Sequence, residues 1–203
     1  MILMQKALMF DSEKCSYCKK CITACDVENG LNGQWRRNVM ILKETNTFEH
    51  GGKSPWHQSC HHCENPACVS ACPRAGLAIT KREDDGIVTV NPEHCTGCSL
   101  CVTACPFGLI KLSTRRNSKG QFVADNCTLC LHRHGKKDNG RLENLPACVV
   151  SCPRGALEFG KRTELLARMR RRGREELPSE HQELRPSTVY VNIRRVTKII
   201  VTS

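Results

Sequence analysis

The sequence predicts an α+β fold made of four short cysteine-rich units arranged in two pairs. Its 203 residues include 16 cysteines, which fall into four groups of four with none left over. A proline turn followed by a short strand pattern recurs after three of the groups. Only 4% of the residues are aromatic, so hydrophobic burial alone is weak for a chain of this length. Bound metal centres are therefore expected to organise the core.

The spacing of the cysteines predicts iron-sulfur clusters. The groups are, in chain order, Cys15, Cys18, Cys21 and Cys25 (group one); Cys60, Cys63, Cys68 and Cys72 (group two); Cys95, Cys98, Cys101 and Cys105 (group three); and Cys127, Cys130, Cys148 and Cys152 (group four). Groups one and three have the Cys-x2-Cys-x2-Cys-x3-Cys run of bacterial ferredoxins, which wraps a 4Fe-4S cube. Group four alone also fits a zinc ribbon, which uses two separated pairs. In the company of the other three groups, a cluster is favoured.

The residues that follow the cysteine groups indicate an internal repeat. The segments CPRAGLAI, CPFGLIKL and CPRGALEF follow groups two, three and four, and each predicts a turn and then a strand. Group one differs, because Asp26 stands where the proline would be. Each unit corresponds to half a ferredoxin. We therefore expect two ferredoxin-like two-cluster units with inserted loops and an extended C-terminal tail.

Chain length suggests how the groups pair. The 22 residues between groups two and three include KREDDGIVTV, which predicts a strand, a turn at Gly86 and a second strand. These two groups can therefore form a compact inner unit, which leaves groups one and four for an outer unit. In the ferredoxin run the fourth cysteine binds the other cluster of the pair.

This pairing gives a hypothesis of four ligand sets. They are set 1, Cys15, Cys18, Cys21 and Cys152; set 2, Cys25, Cys127, Cys130 and Cys148; set 3, Cys60, Cys63, Cys68 and Cys105; and set 4, Cys72, Cys95, Cys98 and Cys101. The expected domains are an outer unit (1–30 and 122–160), an inner unit (58–112), an insertion (31–57) and a C-terminal helix with a docking tail (161–203). Within that last region, 161–176 predicts a helix with Gly173 as its end signal.

These motifs together resemble the four-cluster iron-sulfur subunits of the dimethyl sulfoxide reductase class of molybdenum or tungsten oxidoreductases. The resemblance rests on CSYCKKCITAC, WRR at 35–37, CHHCENPACVSACP, KREDDGIVTVN, HCTGCSLCVTACPFG, CTLCLHR and PACVVSCPRGALEFG. It implies an electron-transfer subunit that carries four 4Fe-4S clusters and has no catalytic site of its own. Its partners would be a pterin-containing catalytic subunit and a second redox partner, often a quinone-reactive membrane anchor.

The resemblance also implies an order for the clusters. Set 1 would lie nearest the catalytic subunit and set 4 nearest the far acceptor. Some relatives replace the residue that matches Cys98 and carry a three-iron cluster, but here the cysteine is present. The loop between Cys130 and Cys148 is longer and more basic than usual in this family. The C-terminal tail is expected to lie along the catalytic subunit.

The basic composition is explained in large part by the clusters. The formal net charge is +11, but ligating thiols are deprotonated. With about +2 on each oxidised core and −4 on its thiolates, four sites leave a net charge of about +3. The Arg168, Arg170, Arg171 and Arg172 cluster is then expected to be a solvated helix face or a docking edge for an acidic partner. A nucleic-acid site is disfavoured, because no aromatic residues are interleaved with it.

Two alternative functions stay open at this stage. One is a polyferredoxin partner of a hydrogenase, a carbon monoxide dehydrogenase or a tungsten aldehyde oxidoreductase. The other, more remote, is a basic zinc protein that binds nucleic acid, which metal analysis would reveal. His61 and His62 are expected to donate to cluster sulfur or to pack in their loop, since each group already has four cysteines.

The expected location is the cytoplasm, or the membrane through a partner. No run approaches the roughly 18 apolar residues of a membrane span, and MILMQKALMF lacks the charged start and cleavage site of a secretory signal. A disulfide framework is disfavoured there, because the cytosol keeps thiols reduced. Export in folded form with a signal-bearing partner is the alternative.

Overall fold

The computed structural model is an α+β fold and describes residues 4–43, 53–134, 144–176 and 181–191. The strands are β1 (Lys6–Asp11), β2 (Arg37–Lys43), β3 (Lys53–Ser59), β4 (Ile79–Lys81), β5 (Val88–Val90), β6 (Ile110–Arg116), β7 (Phe122–Asn126), β8 (Leu157–Lys161) and β9 (Val189–Val191). The α-helices are α1 (Lys20–Asn29), α2 (Ala67–Ser70), α3 (Leu100–Ala104), α4 (Ala147–Val150) and α5 (Arg162–Arg171). Short 3-10 turns span Pro92–His94, Leu131–Arg133 and Gln182–Leu184.

A three-stranded sheet in the order β8-β1-β9 joins the two ends of the described chain. The strand β1 pairs antiparallel with β8 and parallel with β9. Both of its faces are buried: Ala7 and Met9 pack with residues of α5, whereas Leu8 and Phe10 pack toward the cysteine-rich interior. Because side chains alternate along a strand, this central strand covers two cores at once.

The helix α5 is amphipathic and closes one face of this sheet. Leu165 and Met169, four residues apart, are buried against β1 and β9, so one stripe of the helix supplies its packing. Arg168 and Arg172 flank this stripe and pair with Glu158 of β8. Gly173 has a φ of 66°, a left-handed conformation that ends helices readily. The predicted helix and its glycine end signal are confirmed, but only Arg170 and Arg171 of the arginine cluster are both exposed and outside these ion pairs.

The remaining strands form three antiparallel hairpins, β2–β3, β4–β5 and β6–β7. In the second of these Ile79 pairs with Val90, and Gly86 lies in the connecting turn with a φ of 70°. This is the strand-turn-strand predicted between groups two and three. The β2–β3 hairpin starts with Arg37 opposite Ser59 and lies in the stretch regarded as an insertion.

Strands follow the cysteine groups where the repeated tails predict them. After group two the turn leads into β4, after group three into β6, and after group four into β8. Group one, which lacks the proline, continues instead in the ten-residue helix α1. The third cysteine of every group lies within a helix, in α1, α2, α3 and α4 respectively. A short helical turn therefore separates the third and fourth cysteines.

Three apolar clusters of the described residues include cysteines, and one of them connects Cys127 of group four with Cys60 of group two. A second contains Ile79, Val88, Ile110 and Ala124 with cysteines of groups two and three. The third packs Phe10, Leu157 and Tyr190 with cysteines of groups one and four. Most of the basic loop between Cys130 and Cys148 (135–143) and the tail beyond Val191 (192–203) lie outside the described residues.

Candidate metal centres

Three of the four predicted ligand sets surround separate cavities of similar size. The empty space, with the open solvent at each mouth included, is about 360 Å³ at set 1, about 420 Å³ at set 3 and about 390 Å³ at set 4. All four cysteines of the corresponding set line each cavity. Each cavity thus draws its fourth cysteine from a different group than the other three. Ligation of a cluster by these cysteines stays a prediction.

The cysteines of set 2 are also brought together, and they are the most deeply placed. Cys25, Cys127, Cys130 and Cys148 are all buried. Burial raises the pKa of Cys148, and the neighbouring Cys127, Cys130 and Cys25 raise it further. Cys25 comes from the helix α1 and Cys148 from α4, two elements that pack against each other. The structure therefore joins the first and last groups across more than a hundred residues of sequence.

The thiols of the other sets are partly desolvated as well. Burial is the largest cause that raises the pKa of Cys60, Cys63 and Cys68 to about 12. Burial likewise raises the pKa of Cys21 and of Cys101 to about 11. Thiolates held this closely in apolar surroundings need a positive partner. Iron ions in a compact cluster would supply that charge, so the donor set fits such a group.

A left-handed turn recurs just before the second cysteine of every group. The residue at that position is Tyr17, His62, Gly97 or Leu129, and its φ lies between 47° and 71°. Side chains other than glycine rarely adopt this conformation, and such strain concentrates at functional sites. At Gly97 a side chain is excluded in addition, because a Cβ would lie 2.4 Å from the carbonyl oxygen of Phe122.

These turns direct backbone N–H groups toward sulfur. The N–H of Leu129 donates to the Sγ of Cys127 over 3.5 Å. The backbone N–H groups of Tyr17 and His62 act in the same way on Cys15 and Cys60, and each lowers the pKa of its cysteine against the larger, opposing effect of burial. Hydrogen bonds of this kind favour the thiolate and tune an iron-sulfur centre.

Further donors reach the sulfurs from elsewhere in the fold. Backbone N–H groups of Ala156 and Ala124 donate to Cys152 over 3.2 Å and to Cys95 over 3.4 Å. Two side-chain amides, which the sequence did not single out, also donate. Asn126 Nδ2 donates to Cys60 Sγ over 3.5 Å, and Asn29 Nδ2 donates to Cys25 Sγ over 3.7 Å.

The most unexpected side chain near the cysteines is Arg37. It opens strand β2 and is only 1% exposed. Its Nη2 donates to Cys127 Sγ over 3.6 Å, and its Nη1 contacts His57 Nε2 over 2.9 Å. Arg37 belongs to the WRR motif at 35–37, but no local pattern in the sequence predicts that its side chain contacts group four.

The two histidines of group two are buried and neutral. Burial lowers the pKa of His61 to about 4 and that of His62 to about 3. The N–H of Val88 donates to His62 Nδ1 over 3.0 Å, so this nitrogen is an acceptor and does not donate to Cys60 Sγ, 3.8 Å away. His61 packs edge-on against Phe107. These contacts pack both side chains in the loop, but His61 Nδ1 and His62 Nε2 are buried with no hydrogen-bond partner among the described residues, so donation to cluster sulfur stays a prediction beside loop packing.

Comparison with known proteins now adds the family. Residues 55–162, which contain groups two, three and four, match the 4Fe-4S dicluster domain family. The chain belongs to this family. It is 33% identical over 165 residues to the thiosulfate reductase electron transfer subunit PhsB of Salmonella typhi, covering 79% of this chain and 78% of the relative. The resemblance drawn from the cysteine motifs is confirmed.

Two longer relatives show the same level of identity. The iron-sulfur subunit of the nitrate-inducible formate dehydrogenase of Escherichia coli K12 is 33% identical over 181 residues, which cover 79% of this chain and 55% of the relative. The hydrogenase-2 operon protein HybA of Escherichia coli O157:H7 is 33% identical over 187 residues, which cover 81% and 54%. The chain spans about half the length of these two relatives. Like its family, the chain carries multiple 4Fe-4S clusters.

The cysteines of this 4Fe-4S protein differ sharply in exposure. Only two of the sixteen are exposed, Cys18 in set 1 and Cys98 in set 4. Set 2 is buried throughout, and the cysteines of set 3 are all partly buried. The lining of the set 1 cavity includes Lys14, Lys19 and Arg154. Two candidate clusters thus have an edge near solvent, and the edge at set 1 is basic.

Within the described ranges, no three His, Cys, Asp or Glu side chains are placed to hold one metal ion. A tetrahedral zinc ion with bonds of about 2.3 Å would need its sulfurs close together. None of the helices in the described ranges is long and apolar enough to span a membrane.

Proposed function

We propose that this chain carries electrons through four 4Fe-4S clusters, held by sets 1 to 4, between a molybdenum- or tungsten-pterin catalytic subunit and a second redox partner. The second partner is a quinone-reactive membrane anchor or another carrier. The observation that carries the proposal is the grouping of the cysteines: three sets surround separate cavities, and the fourth is buried as a group. When bound, each cluster takes up and releases one electron.

The exposure of the cysteines supports an order for the relay. Cys18 and Cys98 are the exposed members of sets 1 and 4, so these sets are the points where electrons enter and leave. Set 1 faces the catalytic subunit and set 4 the far acceptor. The buried set 2 and the partly buried set 3 keep the intermediate carriers away from solvent and from side reactions. No residue of this chain acts on the substrate.

The four sets belong to two ferredoxin-like units built from four half-ferredoxin repeats. The outer unit comprises 1–30 and 122–160 and the inner unit 58–112, with 31–57 as an insertion. One apolar core around each pair of groups supports this division, as do the left-handed turns that recur in all four groups, while a further cluster with Cys60 and Cys127 connects the two units. In the region 161–203, α5 and β9 pack on β1 of this same chain, so the docking tail is reduced to the residues beyond Val191, which lie outside the described residues.

A hydrogenase is the second candidate for the partner enzyme. The similarity to the hydrogenase-2 operon protein HybA favours it specifically. Purification of the complex decides between the two, because pterin in the complex supports the first partner and a nickel-iron centre the second. Fractionation of the same cells tests the proposed site of action in the cytoplasm or at the membrane, with export alongside a signal-bearing partner as the alternative.

Two cysteines of one helix provide the sharpest test of the ligand sets. Cys21 and Cys25 both lie in α1, one turn apart, yet belong to sets 1 and 2. The anaerobically purified chain is expected to hold about sixteen irons. The variants Cys21→Ala and Cys25→Ala should each lose one cluster, and electron paramagnetic resonance of the reduced proteins should show different signals missing.

The opposite results are equally distinct. If both variants lose the same signal, Cys21 and Cys25 bind the same cluster. The exchange of the fourth ligand between paired groups is then wrong, but the proposed electron-transfer function is unaffected. A folded, iron-free chain with about four zinc ions would instead overturn the whole proposal and restore the zinc alternative.

A further inference from the structure

We propose that Arg37 is a fixed buried cation that raises the reduction potential of the cluster held by set 2. This inference rests on the proposed function, because it takes Cys25, Cys127, Cys130 and Cys148 as the ligands of one cluster. It goes further by assigning a residue that sets how readily one particular carrier accepts an electron. Arg37 is a tuning residue here, not a ligand.

The geometry places the guanidinium against one sulfur of this set and near a second. Nη2 donates to Cys127 Sγ over 3.6 Å, and the charge of Arg37 lowers the pKa of Cys25 against the larger rise from burial. These two cysteines come from groups four and one, so Arg37 bridges the two halves of the proposed site. The residue is 1% exposed, and water is therefore excluded from the contact.

The charge of Arg37 has no carboxylate to balance it. Within the described ranges, no Asp or Glu forms an ion pair with Arg37, whereas the adjacent Arg36 pairs with Asp125 over 2.7 Å. An unbalanced charge in the interior is strongly unfavourable. The thiolates of set 2 are the negative groups that face the guanidinium, and they raise its pKa despite the burial.

The side chain is also held in one orientation. Because a guanidinium has no acceptor, Nη1 donates to His57 Nε2 and the imidazole is neutral with its proton on Nδ1. The ring of His57 stacks on Phe10, with centroids 5.5 Å apart, and Tyr190 Oη donates to the backbone oxygen of His57 over 2.8 Å. Buried hydrogen-bond partners and packed rings of this kind hold a side chain near a metal centre in a fixed orientation, which lets it tune that centre.

The sign of the effect follows from electrostatics. Reduction adds one electron, and hence one negative charge, to the cluster without forming or breaking a bond. A positive charge in contact with the ligands stabilises the reduced state more than the oxidised state, so the reduction potential rises. The interaction is strong because water does not screen it in the interior.

The position of Arg37 also predicts a pattern over the four clusters. Besides Cys25, Cys130 and Cys148 of set 2, Arg37 also lowers the pKa of Cys21 in set 1, in each case against a larger rise from burial. Removal of the charge should therefore change the potential of the set 2 cluster most, that of set 1 less, and those of sets 3 and 4 very little. A general loosening of the fold would not produce this graded pattern.

The test is a redox titration of the purified full chain with all four clusters, followed by electron paramagnetic resonance. The set 2 signal is the one that Cys25→Ala removes. In Arg37→Gln this signal should titrate at lower potential, with at least a roughly tenfold lower ratio of reduced to oxidised cluster, or about 59 mV for a one-electron couple. Arg37→Lys keeps the charge, so the reduction potential of its set 2 cluster should stay close to the wild-type value. Arg172→Gln, which removes an arginine paired with surface Glu158, is the control.

Each outcome has a defined meaning. Four unchanged potentials in Arg37→Gln, or an equal shift of all four, overturn the proposal. If Arg37→Gln binds only three clusters, Arg37→Lys decides: a fourth cluster at the wild-type potential supports a role for charge, whereas its absence or a lowered potential makes Arg37 a structural residue. If Cys25→Ala removes no signal, it is the ligand assignment of the proposed function that fails.

Discussion

The regions around sets 2 and 4 use the same cysteine chemistry at two depths. Set 2 is buried throughout, and a buried arginine contacts its sulfurs. Set 4 has an exposed cysteine, Cys98, and the half-exposed Leu112 lines its cavity. In the buried region a single charge acts at nearly full strength, whereas water and salt screen charges at the edge. In the proposed relay, depth therefore separates the carrier that a buried charge tunes from the carriers that exchange electrons with partners.

The largest expected effect is the loss of a buried ligand. Cys148→Ala should remove the set 2 cluster, which means about four irons per chain. It should also destabilise the fold by more than about 4 kcal/mol, because cluster binding is coupled to folding. Iron analysis and thermal unfolding under anaerobic conditions measure both changes.

The matched control lies three residues away in sequence. Ser151 follows the same short helix, and its hydroxyl donates to the backbone oxygen of Cys148 over 3.2 Å. Ser151→Ala should keep the full iron content and almost all of the stability. A similar iron loss in both variants would show that this helical turn, rather than the thiolate, decides cluster binding.

The exposed ligand should be less costly to lose. Cys98→Ala leaves Cys72, Cys95 and Cys101 in place, and the family resemblance implies that a three-iron cluster then forms. About one iron should be lost, with a new signal from the oxidised protein and a small change in unfolding temperature. Loss of the entire cluster and a destabilisation equal to that of Cys148→Ala would remove the distinction between the buried and exposed regions.

A cation that does not contact sulfur should have a weaker effect than Arg37. Lys81 Nζ donates to the carbonyl oxygen of Gly86 over 2.8 Å and to Gln5 Oε1 over 2.9 Å, and it acts on Cys63 only through space. Lys81→Met should lower the potential of the set 3 cluster by less than a roughly tenfold change in the redox ratio. Redox titration beside Arg37→Gln gives the comparison. A larger shift than that of Arg37→Gln would mean that contact with sulfur is not what matters.

The smallest effect is expected at the basic edge of set 1. Lys19 and Arg154 line this cavity, and the double variant Lys19→Glu with Arg154→Glu reverses both charges. This variant should be reduced severalfold more slowly by anionic dithionite and faster by a cationic viologen. Stopped-flow measurements at low salt check this, and the difference should vanish at about 1 M salt, where the screening length is about 3 Å. Equal changes with both reductants would indicate a structural disturbance. Arg74→Glu, at the set 4 cavity, should leave reduction at set 1 unchanged.

Local patterns predicted the local structures well. The turns and strands after groups two to four, the β4–β5 hairpin and helix α5 all occur where the sequence indicates them. Each depends on residues within about one turn or one hairpin of each other, so neighbouring side chains suffice to specify it.

Strand β1 shows where such patterns fail. Its sequence, KALMFD, has no alternation of apolar and polar residues, because Ala7 and Met9 face one core while Leu8 and Phe10 face another. A short apolar run does not distinguish a strand from a buried helix. The parallel partner β9 lies some 180 residues away, and no local feature of the sequence announces this pairing.

The sequence by itself determined the chemistry: the number, spacing and identity of the sulfur ligands define 4Fe-4S clusters. Only the tertiary structure decided the surroundings of each cluster, such as the contact between Arg37 and Cys127, which are 90 residues apart. The physical reason is that ligand spacing is a property of a short loop. Burial and buried charge arise when distant segments pack together, and these determine how strongly each cluster holds its electron.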